Sequence, residues 1–238
     1  MNKKTNTLLR TAGITHTPIG VYDLPNPDLF APFTRPSDCL FFDFKDWQDN
    51  KSTMISKDNS TAFSCPGAGH WMCGISAMPS EAVAGYLAGQ EGLKASEETM
   101  CQWLENHPPY HMENNAIVIS KLREDHYEYL KTVTFFVTPD QLSLLITGAE
   151  YFHSAPDRGH ITAAYGSGCG QLLALFTDFQ RPLAMIGATD IAMRQHLPED
   201  ILAFTVTKPM FEQLCGLDEK SFLYKSFWHR LKEARHSD

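Results

Sequence analysis

The run KTVTFFVTPDQLSLLI, residues 131 to 146, changes period at its midpoint. Its first half is β-branched and aromatic. After Pro139 the apolar residues Leu142, Leu145, Ile146 and Ala149 fall at helical spacing instead. A strand that runs directly into a helix constrains a chain strongly, because each element must bury its apolar face against another layer. The pattern recurs. HITAAYG (160 to 166) reads as a strand followed by a helix-like GCGQLLALFTDF. RPLAMIGATD reads as a strand, a turn and a short helix reaching His196, and DILAFTVTK as a strand before a helix that starts at Pro209. Strands alternating with helices predict an α+β fold, a mixed β-sheet with helices packed around it in one compact domain over residues 1–238.

The first half is less regular. Asn6 to Gly13 predicts a short helix, and PIGVYDLP (18 to 25) an extended segment. Residues 25 to 36 carry four prolines and read as irregular, CLFFDFKDW fits helix or strand, and residues 48 to 62 read as polar turns. PSEAVAGYLAG (79 to 89) and SEETMCQWLENHP (96 to 108) predict helices, the second opened by Ser96 and stopped by Pro108. NAIVISKL (115 to 122) predicts a strand. The last segment, SFLYKSFWHRLKEAR, is amphipathic, with Phe222, Phe227, Trp228 and Leu231 on its apolar side. No internal repeat, low-complexity tract or dividing linker interrupts the chain.

A formal net charge of −8 without a basic block argues against binding a nucleic-acid backbone. No apolar run approaches the 18 to 20 residues that cross a bilayer, and the N-terminus lacks the apolar stretch of a secretory signal. A cytoplasmic location is therefore the expectation, with no membrane partner and an oligomer left open. Six cysteines in 238 residues are too few for a disulfide scaffold, so reduced thiols are expected.

Two stretches concentrate the chemistry. In YGSGCGQLL (165 to 173), Gly166 and Gly168 turn the chain after a strand, and a helix is expected from about Cys169. Amides at such a turn can cradle an anion or favour a thiolate. The Gly-Lys-Ser/Thr ending of a phosphate loop is missing. In SCPGAGHWMCG (64 to 74), Pro66 suits a first helical turn, which places Cys65 at the cap, followed by Gly67 and by His70, five residues after Cys65. Cys73 lies eight residues beyond Cys65, about 12 Å along a helix at 1.5 Å per residue, too far to share one metal ion with it. Cys73, Cys101 and Cys215 read as core. Asp157 and Arg158 in PDRGH, and Asp190 and Arg194 in GATDIAMR, are polar groups at chain turns, and Asp190 suits a helix cap.

Several segments together, TPIGVY, Cys39, CPGAG, TFFVTPDQLSLLI, GSGC, MIGATD and LAFTVTKPMFEQL, resemble in order and spacing the uncharacterised ArCR-type family, domain-of-unknown-function family 169, over about residues 10–230. The resemblance implies no settled activity. It singles out Cys65, Cys169 and Cys39 as the family-pattern cysteines. Some branches carry a further cysteine on the strand around Ala184 to Ile186, where this chain has Met185 and Ile186, so a four-cysteine cluster would lack one ligand here.

The expected site is one pocket where Cys65 and Cys169 converge, with Gly67, Gly166 and Gly168 around it and Cys39 and His70 as further ligands. The first functional expectation is a metal ion or iron–sulfur cluster held by thiolates, since thiolates suit zinc, copper(I) and iron–sulfur clusters. The second is an enzyme that uses Cys65 or Cys169 as nucleophile or redox thiol on a small anionic substrate, assisted by His70 or Asp190. The third is a small-molecule or anion-binding module in which the cysteines only pack.

Overall fold

The computed structural model describes residues 3–30, 32–33, 39–56, 58, 66–74, 80–154, 160–165 and 168–235. Cys65, Gly166, Asp157 and Arg158 lie outside that set, so the expectations attached to them concern residues outside the description. Among the described residues seven strands form one sheet: β1 (Ile19–Leu24), β2 (Thr53–Ser56), β3 (Ala116–Lys121), β4 (Leu130–Val137), β5 (Ile161–Ala163), β6 (Ala184–Gly187) and β7 (Leu202–Thr207). Their order is β2-β3-β1-β4-β7-β6-β5. Every neighbouring pair is antiparallel except β5 with β6, which makes the sheet mixed and the fold α+β, as the alternation predicts.

Strand alternation divides the core between the two sheet faces. On one face Tyr22, Val118, Val133, Phe135, Phe204 and Val206 meet α1 (Lys3–Ala12), α6 (Pro139–Glu150), α8 (Lys208–Cys215) and Trp228 of α9 (Ser226–Arg235). On the other, Ile19, Val21, Ile117, Ile119, Phe136 and Ala203 are covered by α2 (Phe44–Gln48), α3 (Pro66–Cys73) and the 3₁₀ helix Gly168–Leu172. The remaining α-helices among the described residues are α4 (Ser80–Gly85), α5 (Glu97–Glu105) and α7 (Ile191–Arg194).

The period change at residue 138 has a local cause. Thr138 Oγ1 accepts from the Gln141 amide at 3.4 Å while Gln141 Oε1 accepts from the Thr138 amide at 3.0 Å, and Pro139 fills the first turn. This reciprocal pair satisfies donors that a helix start otherwise leaves unpaired. Gln141 Nε2 also donates to the Gly13 carbonyl at 2.6 Å, fastening the end of α1 to the start of α6. Ser96 caps α5 in a similar way, accepting from the Thr99 amide at 3.1 Å.

Three expectations need correction and one open choice is decided. Residues 48 to 62 are not all turn, because β2 forms there and pairs with β3 along the sheet margin. Its two inward residues, Thr53 and Ile55, are buried, too short an alternation to stand out from polar neighbours. CLFFDFKDW, open between helix and strand, is helical: the 3₁₀ turn Leu40–Asp43 runs into α2. Asp43 is buried there and accepts from Thr53 Oγ1 at 2.5 Å, and that oxygen accepts from Trp47 Nε1 at 2.9 Å. GCGQLLALFTDF is not an α-helix: after Gly168–Leu172 the chain turns, with Leu173 and Leu175 amides both directed to the Gly170 carbonyl. On α9, Trp228 is buried but Phe227 is 78% exposed, so the apolar side is narrower than the sequence suggests.

Candidate functional site

The cysteine-bearing stretches meet on the second face of the sheet. The 3₁₀ helix Gly168–Leu172 packs against α3 and against Leu40–Asp43. Cys169 is buried there, and Cys39, which immediately precedes Leu40–Asp43, is half-buried against the same apolar cluster. Pro66 opens α3 as expected, and Gly67 is buried near its start. His70 is half-buried on that helix with its ring edge-on to Trp71 at 4.9 Å. Cys65 itself precedes the first residue of α3 and lies outside the described residues. Among the described residues, no three histidine, cysteine, aspartate or glutamate side chains are grouped as a metal site requires.

The glycine turn is fixed by two polar side chains. Asp190 caps α7 by accepting from the Ala192 amide at 2.9 Å, and its other oxygen accepts from the Gly168 amide at 3.1 Å. The capping role was legible in GATDIAMR; the link to Gly168 was not. Gln171, 1% exposed, reaches across Gly187, where its Oε1 accepts from the Ala188 amide at 2.6 Å. Ala188 holds a φ of 60°, a left-handed conformation uncommon for a residue with a side chain. Both turns depend on close approach. A Cβ on Gly168 would lie 2.2 Å from Met193 Sδ, and one on Gly187 1.6 Å from Gln171 Oε1. Gly168–Leu172 and the segment 187–190 are thus two halves of one interlocked turn, joined by Asp190 and Gln171.

Beneath the turn the sheet is polar. Thr132 and Thr134 of β4 and Thr205 and Thr207 of β7 are fully buried. Thr132 Oγ1 donates to the Leu172 carbonyl at 2.6 Å, and Thr134 and Thr205 share a hydrogen bond of 2.9 Å. The Thr132 hydroxyl ties the Cys169 helix to β4, and the Thr134–Thr205 bond ties β4 to β7.

The other cysteines differ among themselves. Cys73 is buried, donates to the Ile55 carbonyl at 3.9 Å, and burial, with the Asp23 charge adding to it, pushes its thiol up to about 12. Cys215 packs on the opposite face of the sheet with Thr5 Oγ1 3.7 Å away, and burial pushes it up to about 11. Cys101 is half-buried on α5 and, among the described residues, belongs to neither main cluster, so its assignment to the core is corrected. Cys73 and Cys215 should therefore resist iodoacetamide at neutral pH in the folded protein. The sign for stability follows. Unfolded thiols ionise near 9 while these two stay protonated to about 11 and 12, so stability falls as pH rises through that window. Alkylation followed by peptide mapping checks the first point, and urea unfolding between neutral and alkaline pH checks the second.

A second buried polar centre, not foreseen from sequence, lies at the far end of β1. Asp23 is fully buried and accepts from Tyr110 Oη at 2.8 Å, from the Glu113 amide at 2.7 Å and from the Asn114 amide at 3.0 Å. Burial, reinforced by this carboxylate, raises the Tyr110 phenol. Its signal in the sequence is a lone acid within the apolar run IGVYDL. An open cleft of about 350 Å³ lies on the opposite sheet face, between α1 and the end of α8, lined by Lys3, Lys4, Leu8 and Cys215 among others. It shares none of its lining with the glycine turn. No described helix is long and apolar enough to cross a membrane.

Comparison with curated proteins and with solved structures finds no match. A family model does match. It is that of DUF169, described as uncharacterised ArCR, and it spans residues 7–216, which include Cys39, both glycine-turn stretches, the Thr138–Gln141 cap and β7 with α8. The chain belongs to the uncharacterised ArCR family, DUF169.

Proposed function

We propose that the protein holds a metal ion or an iron–sulfur cluster through cysteine thiolates, with Cys169 and Cys39 as ligands, Cys65 as the third, and His70 as a nitrogen donor. The observation that carries this reading is the packing of Gly168–Leu172 against both α3 and Leu40–Asp43, which draws three distant cysteine stretches to one face of the sheet. Charge supports it. The Gly168 amide, which an anion would need, already donates to the Asp190 carboxylate, and Glu91 is close enough to Asp190 for the two charges to repel. A turn already holding a carboxylate favours a cation over an anionic ligand. The same fact counts against an anion cradle and against a thiol enzyme whose substrate is anchored by those amides. Sulfur donors suit zinc, copper(I) and iron–sulfur clusters better than the hard oxygen-binding ions.

The residues present fit such a group only in part. Cys39 and Cys169 are thiols on one face, and Cys73 and Cys215 are held protonated away from the ligand role. Titrating cobalt(II) into reduced, metal-free protein tests the donor set. A sulfur-to-cobalt charge-transfer band is expected, abolished by Cys169→Ser and unchanged by Cys215→Ser. A band that survives Cys169→Ser, or no band at all in the unmodified chain, contradicts the proposal.

A further inference from the structure

Beside the glycine turn, five rings from three parts of the chain form one cluster. His70 and Trp71 lie on α3, Trp103 and His107 on or just after α5, and Tyr165 three residues before Gly168. Trp71 meets Trp103 edge-on at 5.9 Å, and Trp103 meets Tyr165 edge-on at 5.7 Å. Trp103 and His107 stack at 4.3 Å with 23° between their planes. The Lys94 ammonium stands 4.0 Å over the Tyr165 ring, and the Tyr165 hydroxyl donates to the Leu93 carbonyl.

Burial across the cluster is graded. Trp71 is 1% exposed, Trp103 and His107 are half-buried, and Tyr165 is 38% exposed. Large rings contribute most to stability when fully covered, so outer rings left within reach of solvent form a ready stacking surface. The chain leading into the cluster passes through a π-helical turn, Tyr86–Gln90, an irregularity that recurs near functional sites. Charge selects the ligand. In a chain of net charge −8, Lys94 sets a cation directly against the exposed ring.

We propose that this surface binds a planar aromatic anion, an arenecarboxylate or arenesulfonate, with its ring against Trp103 and Tyr165 and its charge on Lys94. As a ligand held beside the metal centre this rests on the function proposed above; the binding itself does not need the metal.

The test uses reduced, metal-free protein with pyrene-1-sulfonate as the probe, followed by its fluorescence anisotropy. Saturable binding is expected. Lys94→Gln should weaken it about tenfold, the scale of one charge-assisted hydrogen bond. Trp103→Leu should weaken it further, Trp103→Phe should retain part of it, and Lys220→Gln, on the turn after α8, should leave it unchanged. Circular dichroism of each variant reports folding, and the phenylalanine variant keeps the test open if the leucine variant does not fold. Binding that ignores Lys94→Gln, or a pyrenylmethylammonium cation that binds as tightly as the sulfonate, overturns the proposal. Probe binding without the cobalt band would sink the metal reading alone, and the band without probe binding would sink this one alone.

Discussion

Replacing Asp23 with alanine is expected to destabilise the fold by roughly 3–5 kcal/mol, the cost of removing a charged acceptor from buried donors. Three donors lose their partner at once: the Tyr110 phenol and the Glu113 and Asn114 amides. The effect should exceed that of an ordinary side-chain hydrogen bond, because Asp23 is fully buried and its partners lie on a loop about 90 residues away in sequence. Asp23 thereby fixes the crossing from α5 into β3, whose residues Ala116 to Lys121 pair with β1 along their whole length. Urea unfolding measures the change. A loss under about 1 kcal/mol would show that water replaces the carboxylate and that the loop is not anchored through it.

Gly187→Ala is the second large effect, at roughly 2–4 kcal/mol from overpacking combined with a lost buried hydrogen bond. The new Cβ would stand 1.6 Å from Gln171 Oε1 and 2.4 Å from its Cδ, so the amide must leave its place. Doing so releases the Ala188 amide, which sits at a φ of 60°. The damage should reach the Cys169 helix, since Gln171 belongs to Gly168–Leu172. Loss of cobalt binding should therefore accompany loss of stability. Gln171→Ala separates the two causes, because it removes the hydrogen bond without the clash and should cost less than Gly187→Ala. Equal stability of Gly187→Ala and the unmodified chain, judged by thermal unfolding, would refute the interlock.

These two positions show what the sequence reveals and what it hides. Elements with a strong period were legible: β4 into α6 and β7 into α8 each read as a strand, a proline and a helical stripe, and each formed so. The cap at Asp190 was readable from residue type alone, since its function is local. β2 was hidden because only four residues pair and its outer positions are polar. The second bond of Asp190, from the Gly168 amide 22 residues away, and the reach of Gln171 to Ala188 are tertiary facts that no local pattern encodes. Gln171 looked like a helix residue; it serves as a buried strut because the chain after Gly168 takes a 3₁₀ turn rather than an α-helix. The cysteines divide similarly. Cys73 was assigned to the core from its spacing, and its burial agrees. Cys39, alone before an aromatic run, gains a neighbour in the Cys169 helix only through the packing of Leu40–Asp43.

The stability predictions concern how the turn is built, whereas the central claim concerns what it holds. Purifying the protein without oxygen and measuring iron, zinc, copper and acid-labile sulfide per chain tests that claim most directly. The account predicts stoichiometric metal, with sulfide if the centre is a cluster, falling sharply in Cys39→Ser and Cys169→Ser and unchanged in Cys215→Ser. A folded, colourless protein with no bound metal under those conditions would contradict it.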